Sequence, residues 1–451
     1  MHFKSVEELA SRVRAAALPL DASADLDPLI HAVGDARYLL LGEASHGTHE
    51  FYTWRTEITK RLILEKQYSF IAVEGDWPDC YRLNRYVKGL AESGDSAEQV
   101  LRTFDRWPTW MWANREVAAL AEWLRAHNEA LPADDRVGFY GLDVYSLWDS
   151  MTAVVEYLET VDPALARSAK AAYLCFEPYG EDAQAYARAT VLVPTSCEEE
   201  AVAVLRALQD REPEYGRDGR EAYYNAEQNA LIARGAEEYY RAMVRGGAMS
   251  WNVRDRHMVE TLERLMSHHG EKSKAIVWEH NTHIGDARYT DMAGAGMVNV
   301  GQLLREKHAQ DAEVFLVGFG TYSGTVLAAS EWGAPMRKMR MPDARAHSLE
   351  ELLHRAGQTS TADARRRSAN MMLLFDGGPD GGIAGLDDPI HHRAIGVVYD
   401  PRAERRGNYV PSRVPQRYDA FLFVHTTRAL DALHMPASNA ADMPETYPSG
   451  K

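Results

Sequence analysis

A short apolar run that ends in glycine and a carboxylate is the feature that most constrains this chain. Residues 38–43 read Tyr-Leu-Leu-Leu-Gly-Glu, and apolar residues then return at helical spacing with Phe51, Trp54, Ile58 and Leu62. Four consecutive apolar residues are typical of a strand buried on both faces, and Gly42 and Gly47 suit a turn after it. The pattern predicts a strand at 37–42, a turn, and a helix at 48–66.

The same design recurs twice further along the chain. An apolar run at 70–73 ends in Glu74 and Gly75, and another at 275–278 precedes the segment Glu279-His280-Asn-Thr-His283. We expect the strands at 37–42 and 69–74 to be neighbours in a parallel sheet. Their carboxylates would then meet at the edge where open α/β sheets bind ligands. We therefore expect the catalytic residues at the carboxyl ends of these strands.

Glu43 and His46 lie three residues apart on the first of these turns. A carboxylate at that spacing can orient an imidazole and raise its basicity, which predicts a pair that activates water. Taken alone, Glu43 would be explained equally well by its place near a helix amino terminus, where negative charge is favourable. The additional Glu and His residues at the other strand ends favour the catalytic interpretation.

The alternation of strands and helices predicts an α/β fold with a mostly parallel central sheet and flanking helices. Further strands are predicted at 137–145, 274–278, 313–320, 371–375, 394–399 and 419–424. Residues 146–269 keep a helical pattern, so we expect a helical insertion that covers the cleft. Residues 1–145 and 270–451 would form the α/β core. Aromatic residues in the insertion and at 97–114 either line the cleft or pack the interior.

Composition limits the partners of the chain. The 451 residues are 45% apolar and 26% charged, an ordinary balance for a globular protein, and the formal net charge is −16. Nucleic acids and anionic membranes attract basic surfaces, so we expect neither as a partner. A neutral or cationic small molecule fits better. No run approaches the roughly 18 apolar residues of a membrane helix.

The cysteines suggest a reducing compartment. Cys80, Cys175 and Cys197 are odd in number and widely spaced, and they form no CxxC pair, so we expect neither a disulfide framework nor a zinc site from them. The amino-terminal segment also lacks the apolar core of a secretory signal. We therefore expect a cytoplasmic location.

Two familiar hydrolase mechanisms do not fit the motifs. The first turn reads Gly-Glu-Ala-Ser45-His-Gly, so Ser45 does not have the placement of a nucleophile elbow. His49-Glu50 is not followed by the second His of a zincin helix. A divalent metal held by the Glu and His residues of the strand ends stays open as an alternative, and so does a binding protein without turnover.

Five segments resemble the erythromycin esterase family, in the same order along about 390 residues: GEASHGTHEFY, AVEGDW, WEHNTHIGDAR, RAIGVVYDPRAERRGNYV and RYDAFLFVHTTRAL. The resemblance implies a hydrolase that opens an ester, in the best-known members the lactone of a macrolide, with water activated by a His and no Ser nucleophile. Position by position, the implied active-site residues are Glu43, His46, Arg55, Glu74, His280 and His283. We expect no cofactor, although a remote similarity to metal-dependent peptidases of the TIKI type keeps the metal alternative open.

The roles of these residues are assigned only in outline. Glu74 would position the water or share its proton, and His280 or His283 would protonate the leaving alkoxide. Arg55 would stabilise the oxyanion or pair with a site carboxylate. Candidate substrate-binding residues are Asp76 and Trp77 of the AVEGDW segment, Asp143 at a predicted strand end, and Arg254 and Asp255 in a helical motif of the same family.

Overall fold

The computed structural model describes residues 6–179, 183–192, 196–309, 313–358, 369–375 and 382–433. Within them lie eleven strands: β1 Leu18–Pro19, β2 Tyr38–Leu41, β3 Phe70–Asp76, β4 Gly138–Asp143, β5 Ala275–Trp278, β6 Val314–Ala328, β7 Arg337–Met341, β8 Met371–Leu374, β9 Ile390–Arg393, β10 Tyr409–Ser412 and β11 Ala420–Thr427.

The helices that precede β5 are α1 Val6–Ala16, α2 Asp27–Val33, α3 His49–Lys66, α4 Trp77–Val87, α5 Ala97–Leu101, α6 Arg115–Glu129, α7 Leu147–Val161, α8 Pro163–Tyr173, α9 Ala183–Leu192, α10 Glu198–Gln209, α11 Glu212–Met243 and α12 Met249–His269. Those that follow it are α13 Asn281–Ile284, α14 Val300–Lys307, α15 Leu349–Gly357, α16 Glu404–Gly407 and α17 Val414–Arg417. No helix of the described residues is long and apolar enough to cross a membrane.

Nine strands form one mostly parallel sheet. Its order is β1-β8-β11-β6-β2-β5-β3-β4, and β7 pairs with the distal half of β6. The six strands from β11 to β4 are mutually parallel, whereas β8 runs antiparallel to β11. The predicted mostly parallel α/β fold with flanking helices is confirmed.

Both faces of the central strands are buried, which explains their continuous apolar sequences. In β2, Leu39 and Leu41 pack into one hydrophobic cluster, while Tyr38 and Leu40 pack into the cluster on the opposite face. Helices α3, α4 and α6 contribute to this packing, so the sheet forms the middle of the core.

The sheet order corrects one expectation about the site. β2 and β3 are not neighbours, because β5 pairs with both, Ala275 lying opposite Tyr38 on one side and Phe70 on the other. The turn after β5 therefore lies between the other two. Local sequence patterns predict strands but do not specify which strand enters between two others.

Residues 394–399 are also not the predicted strand of the main sheet. Only isolated bridges occur there, between Ile395 and Ser45 and between Val398 and Ala329. The neighbouring residues Ile390–Arg393 instead pair with Tyr409–Ser412 as a separate two-stranded sheet. Four of its apolar residues, Ala394, Ile395, Val397 and Tyr399, are buried, which explains why the sequence pattern resembles a strand. Surface loops are predicted from sequence at 355–368 and 376–388, but residues 355–357 belong to α15, and residues 359–368 and 376–381 lie outside the described residues.

The described residues between β4 and β5 form helices α7 to α12, joined by short turns, and contain no strand. Their aromatic side chains pack mainly against one another. Tyr173, Tyr186, Tyr239 and Tyr240 belong to a hydrophobic cluster that α7 to α11 build. Of the two roles considered for these tyrosines, packing of the helices is the one observed.

The cysteine prediction is wrong. Cys175 and Cys197 form a disulfide between the turn after α8 and the start of α10, whereas Cys80 is buried and free. The fold brings the two sulfurs together across a separation of 22 residues that has no recognisable motif. Disulfides are typical of oxidising compartments, so the cytoplasmic location stays a prediction.

We expect Cys175→Ser to lower the free energy of unfolding by about 3 kcal/mol, because a loop of this size is no longer closed in the unfolded chain. The check is urea unfolding of oxidised wild type and variant, with thiol titration of the denatured proteins. Wild type should show one free thiol, and a reductant should remove the difference in stability. Three titratable thiols in the oxidised wild type would contradict the pairing.

Candidate active site

The turn after β2 is fixed by backbone contacts on three sides. Gly47 accepts hydrogen bonds at its carbonyl from the N–H groups of Leu327 and Leu430, at 2.9 and 3.0 Å. A Cβ atom at Gly47 would lie 1.8 Å from the Leu327 carbonyl oxygen, so the position requires glycine. Tyr52 also donates its hydroxyl to the carbonyl of His46 at 3.1 Å. These contacts hold His46 at the edge of the sheet.

His46 and Glu43 form the pair that the sequence predicts. His46 Nδ1 lies 2.8 Å from Glu43 Oε1, and both side chains are almost fully buried. Because a carboxylate only accepts hydrogen bonds, Nδ1 carries the proton and Nε2 is left to accept one. His46 also lines the cavity at this edge, so it combines an oriented ring with access to a bound molecule.

Arg55 lies on the far side of Glu43. Its Nη2 donates to Glu43 Oε2 at 2.8 Å, and the guanidinium lies 4.3 Å from the centre of the Tyr52 ring and 4.6 Å from that of Trp278. The side chain is fully buried. Of the two roles considered for Arg55, pairing with a site carboxylate is therefore the one that the geometry permits, because the guanidinium does not reach the cavity.

Arg254 joins the ends of β3 and β4. Its Nη2 donates to Glu74 Oε1 at 2.8 Å and to Asp143 Oδ2 at 2.7 Å, and its Nε donates to Asp143 Oδ1 at 2.9 Å. Its Nη1 lies 3.1 Å from His283 Nε2. Although burial alone would raise it, the charges of His283 and Arg254 hold the pKa of Glu74 well below its usual range. Glu74 is therefore a carboxylate.

His283 is held from behind by Asp255. Its Nδ1 donates to Asp255 Oδ1 at 2.9 Å, its Nε2 lies 3.4 Å from Glu74 Oε1, and its ring stacks on Trp251. Burial opposes the charged form, but Asp255 and then Glu74 raise the pKa of His283 to about 10. His283 is an imidazolium at neutral pH.

His280 differs in charge from His283. Burial lowers the pKa of His280 well below its usual value, so its ring is neutral. The backbone N–H of His280 donates to Glu74 Oε2 at 2.9 Å. Its ring centre lies 4.9 Å from that of His46, and its Nδ1 accepts from the N–H of Thr282 at 3.3 Å. His280 thus helps to place Glu74 beside His46.

Glu279 is a buried acid that is not among the active-site residues predicted from the sequence. Both of its carboxyl oxygens lack a hydrogen-bond partner among the described residues, and burial raises its pKa well above the usual range. Its neutral form is therefore favoured. The signal in the sequence was its position directly before His280 at a strand end.

A narrow cavity of about 90 Å³ opens next to His46. Predicted residues His46, Glu74, Asp76, Asp143 and Arg254 line it. Its apolar walls come from Phe104, Trp107, Pro108, Met111, Trp112, Trp332 and Val397. The aromatic segment at 97–114 is thus both buried and part of the cleft wall.

Two carboxyl groups that line the cavity have a raised pKa. Burial raises the pKa of Asp76 to about 6 and that of Asp79 to about 7. Arg106 lies beside Asp76, with its Nε 3.5 Å from Oδ2, and its guanidinium lies over the ring of Tyr145. Sequence reasoning missed Asp79, Arg106 and Tyr145, although Asp79 follows the AVEGDW segment closely.

Trp77 is not part of the cavity lining. Its indole donates to Asn225 Oδ1 at 2.8 Å and stacks on Tyr81 and Tyr140 in the core on the opposite side of β3. The expectation that Trp77 contacts substrate is therefore corrected. Asp255 also lies behind His283, where it supports the imidazolium without lining the cavity.

The carboxylates beside the cavity are paired with Arg254. In the described ranges, no group of three or more His, Cys, Asp or Glu residues is arranged to hold a metal ion. The guanidinium of Arg254 lies between Glu74 and Asp143 and forms an ion pair with each of them. A cationic side chain thus occupies the position between the two carboxylates.

Comparison with known proteins identifies the family. The chain is 22% identical over 368 residues to an erythromycin esterase type II of Escherichia coli, covering 76% of this chain and 84% of that protein. A crystal structure described as a succinoglycan biosynthesis protein is 20% identical, with a TM-score of 0.76 over 96% of this chain and all of that one. An erythromycin esterase mutant in its open conformation is 15% identical, with a TM-score of 0.63 over 96% of this chain and 99% of the other. The sequence profile of erythromycin esterase matches residues 63–427, so the chain belongs to the erythromycin esterase family of hydrolases.

Proposed function

We propose that the protein hydrolyses carboxylic esters with water activated by His46. The observation that carries this proposal is the placement of His46: its Nδ1 is bound by Glu43, while the ring lines the cavity. An imidazole whose Nδ1 is held by a carboxylate, and which lines a cavity, can take a proton from water at Nε2. Glu43 then stabilises the imidazolium, and Arg55 keeps Glu43 in place.

The reaction follows from the charges around the cavity. Water loses a proton to His46 Nε2 as its oxygen attacks the ester carbonyl carbon. Arg254, which lines the cavity, and the imidazolium of His283 behind it supply positive charge for the oxyanion that forms. The tetrahedral intermediate then expels the alcohol, which takes the proton back from His46, so one water is consumed per ester. No cofactor enters these steps.

The apolar residues that line the cavity indicate the class of substrate. Phe104, Trp107, Trp112 and Trp332 offer flat apolar surfaces, so an ester with an apolar acyl or alkyl group is favoured. The cavity is narrow, and a macrocyclic lactone would enter it only after the walls moved apart. Simple esters and macrolides should therefore both be included in the substrate screen.

We also propose that residues 146–269 act as a unit distinct from the core formed by 1–145 and 270–451. Helix α12 of this block carries Arg254 and Asp255 to the sheet edge, which supports a covering role. Of residues 146–269, Arg254 is the one that lines the cavity in the described part of the chain. Substrate choice would then depend more on the segment 104–112 than on α7 to α11.

We expect His46→Ala to lower kcat by about 10²- to 10⁴-fold without unfolding the protein, because it removes the base and little buried area. Glu43→Gln should keep the turn but weaken the base. The check is steady-state hydrolysis of a good ester, with circular dichroism to verify folding and His127→Ala as a control remote from the cavity. A folded His46→Ala variant with near-full activity would refute the proposed mechanism.

We expect Asp255→Asn to move the alkaline loss of activity to lower pH. Asp255 favours the imidazolium of His283, whose pKa is raised to about 10, so removal of its negative charge lowers that pKa. Wild-type activity should fall as pH rises through about 10, and the variant should lose activity at a lower pH. The measurement is the pH dependence of kcat, corrected for spontaneous hydrolysis. If wild type and variant lose activity at the same alkaline pH, His283 does not stabilise the oxyanion.

We expect activity to survive exhaustive dialysis against a chelator, because Arg254 and His283 supply the positive charge that a metal would otherwise bring. Elemental analysis of the purified protein should accompany the assay. Near-stoichiometric metal, with activity lost on its removal and regained when it is added back, would support the metal-dependent alternative instead.

A further inference from the structure

A second buried pair of histidine and glutamate lies behind the turn that carries His280 and His283. His392 Nδ1 is 2.6 Å from Glu350 Oε1, and His392 Nε2 is 3.1 Å from Asn281 Nδ2. Glu350, Asn281 and His392 are all fully buried. None of the three lines the cavity described above, so the pair has no part in the mechanism so far.

Asn281 connects the two candidate catalytic turns. Its backbone N–H donates to the carbonyl of Glu43 at 2.9 Å, and its own carbonyl accepts from Arg417 Nη2 at 2.8 Å. Its side chain packs directly on Gly42, where a Cβ atom would lie 2.1 Å from Asn281 Oδ1. Any displacement of Asn281 therefore moves the turn of Glu43 and His46 together with the turn of His280 and His283.

Strand β6 and His392 hold the Asn281 amide in one orientation. The N–H of Phe319 donates to Asn281 Oδ1 at 3.2 Å, and Asn281 Nδ2 donates to the Phe319 carbonyl at 2.7 Å. The second N–H of that amide then points at His392 Nε2, which must accept. His392 is therefore neutral and carries its proton on Nδ1, which donates to Glu350. Each hydrogen bond in this network has one donor and one acceptor.

We propose that His392 is a positioning residue, which fixes both candidate catalytic turns through Asn281, and that Glu350 fixes its tautomer. This inference rests on the proposed ester hydrolysis for its catalytic consequence.

The test compares two substitutions of different polarity. His392→Gln keeps an acceptor toward Asn281 and a donor toward Glu350, whereas His392→Leu fills the space and makes neither hydrogen bond. We expect the Leu variant to lose about a hundredfold in kcat, because small displacements of catalytic groups have effects of that size. KM should change little, and the Gln variant should keep most of the activity. His269→Leu, which removes an imidazole bonded to Tyr140, is the matched control remote from the cavity.

Amide hydrogen exchange of residues 280–285 gives a readout that does not depend on activity. The Leu variant should exchange faster there than wild type, while the Gln variant and His269→Leu should not. A folded Leu variant with wild-type kcat and wild-type exchange would overturn the proposal, and so would equal losses in the Gln and Leu variants. If wild type hydrolyses no ester, the proposed function fails, and the exchange measurement still decides whether His392 positions the turn.

Discussion

The guanidinium of Arg254 is the interaction on which the site depends. Three buried carboxylates, Glu74, Asp143 and Asp255, come together at the sheet edge, and Arg254 bonds to the first two while His283 bonds to the third. Buried charges are stable only when they are paired and hydrogen-bonded, and loss of one partner leaves the other exposed to a large desolvation penalty. Arg254 therefore fixes helix α12 against β3 and β4 as well as supplying positive charge to the cavity.

Three histidines within one site have different electrostatic surroundings. His46 is bound by a carboxylate and faces the cavity, His280 is neutral because it is buried beside His46, and His283 is charged because two carboxylates surround it. Histidine thus occurs in this site as the proposed base, as a neutral structural element and as a cation. Their environments, more than their identities, separate the roles.

Much of this arrangement could be predicted from the sequence. Strands that place Glu43, Glu74 and Asp143 at or near their carboxyl ends follow from apolar runs that a polar residue interrupts. The pairing of His46 with Glu43 follows from their spacing. Long-range packing could not be predicted in this way. The burial of Trp77 in the core, the disulfide of Cys175 and the tautomer of His392 all depend on residues far apart in the sequence.

The position of β5 has a consequence for how the chain folds. β5 pairs with β2 and β3 on its two sides, yet more than 130 residues of helix and connection separate it from β4 along the chain, counting from Asp143 to Ala275. The open edges of β2 and β3 cannot be joined until this late strand has been synthesised. Closing such distant contacts is slow, and unpaired edges promote aggregation in the meantime. The helices of 146–269, whose contacts are more local, are then expected to form before the sheet edge that carries the site is complete.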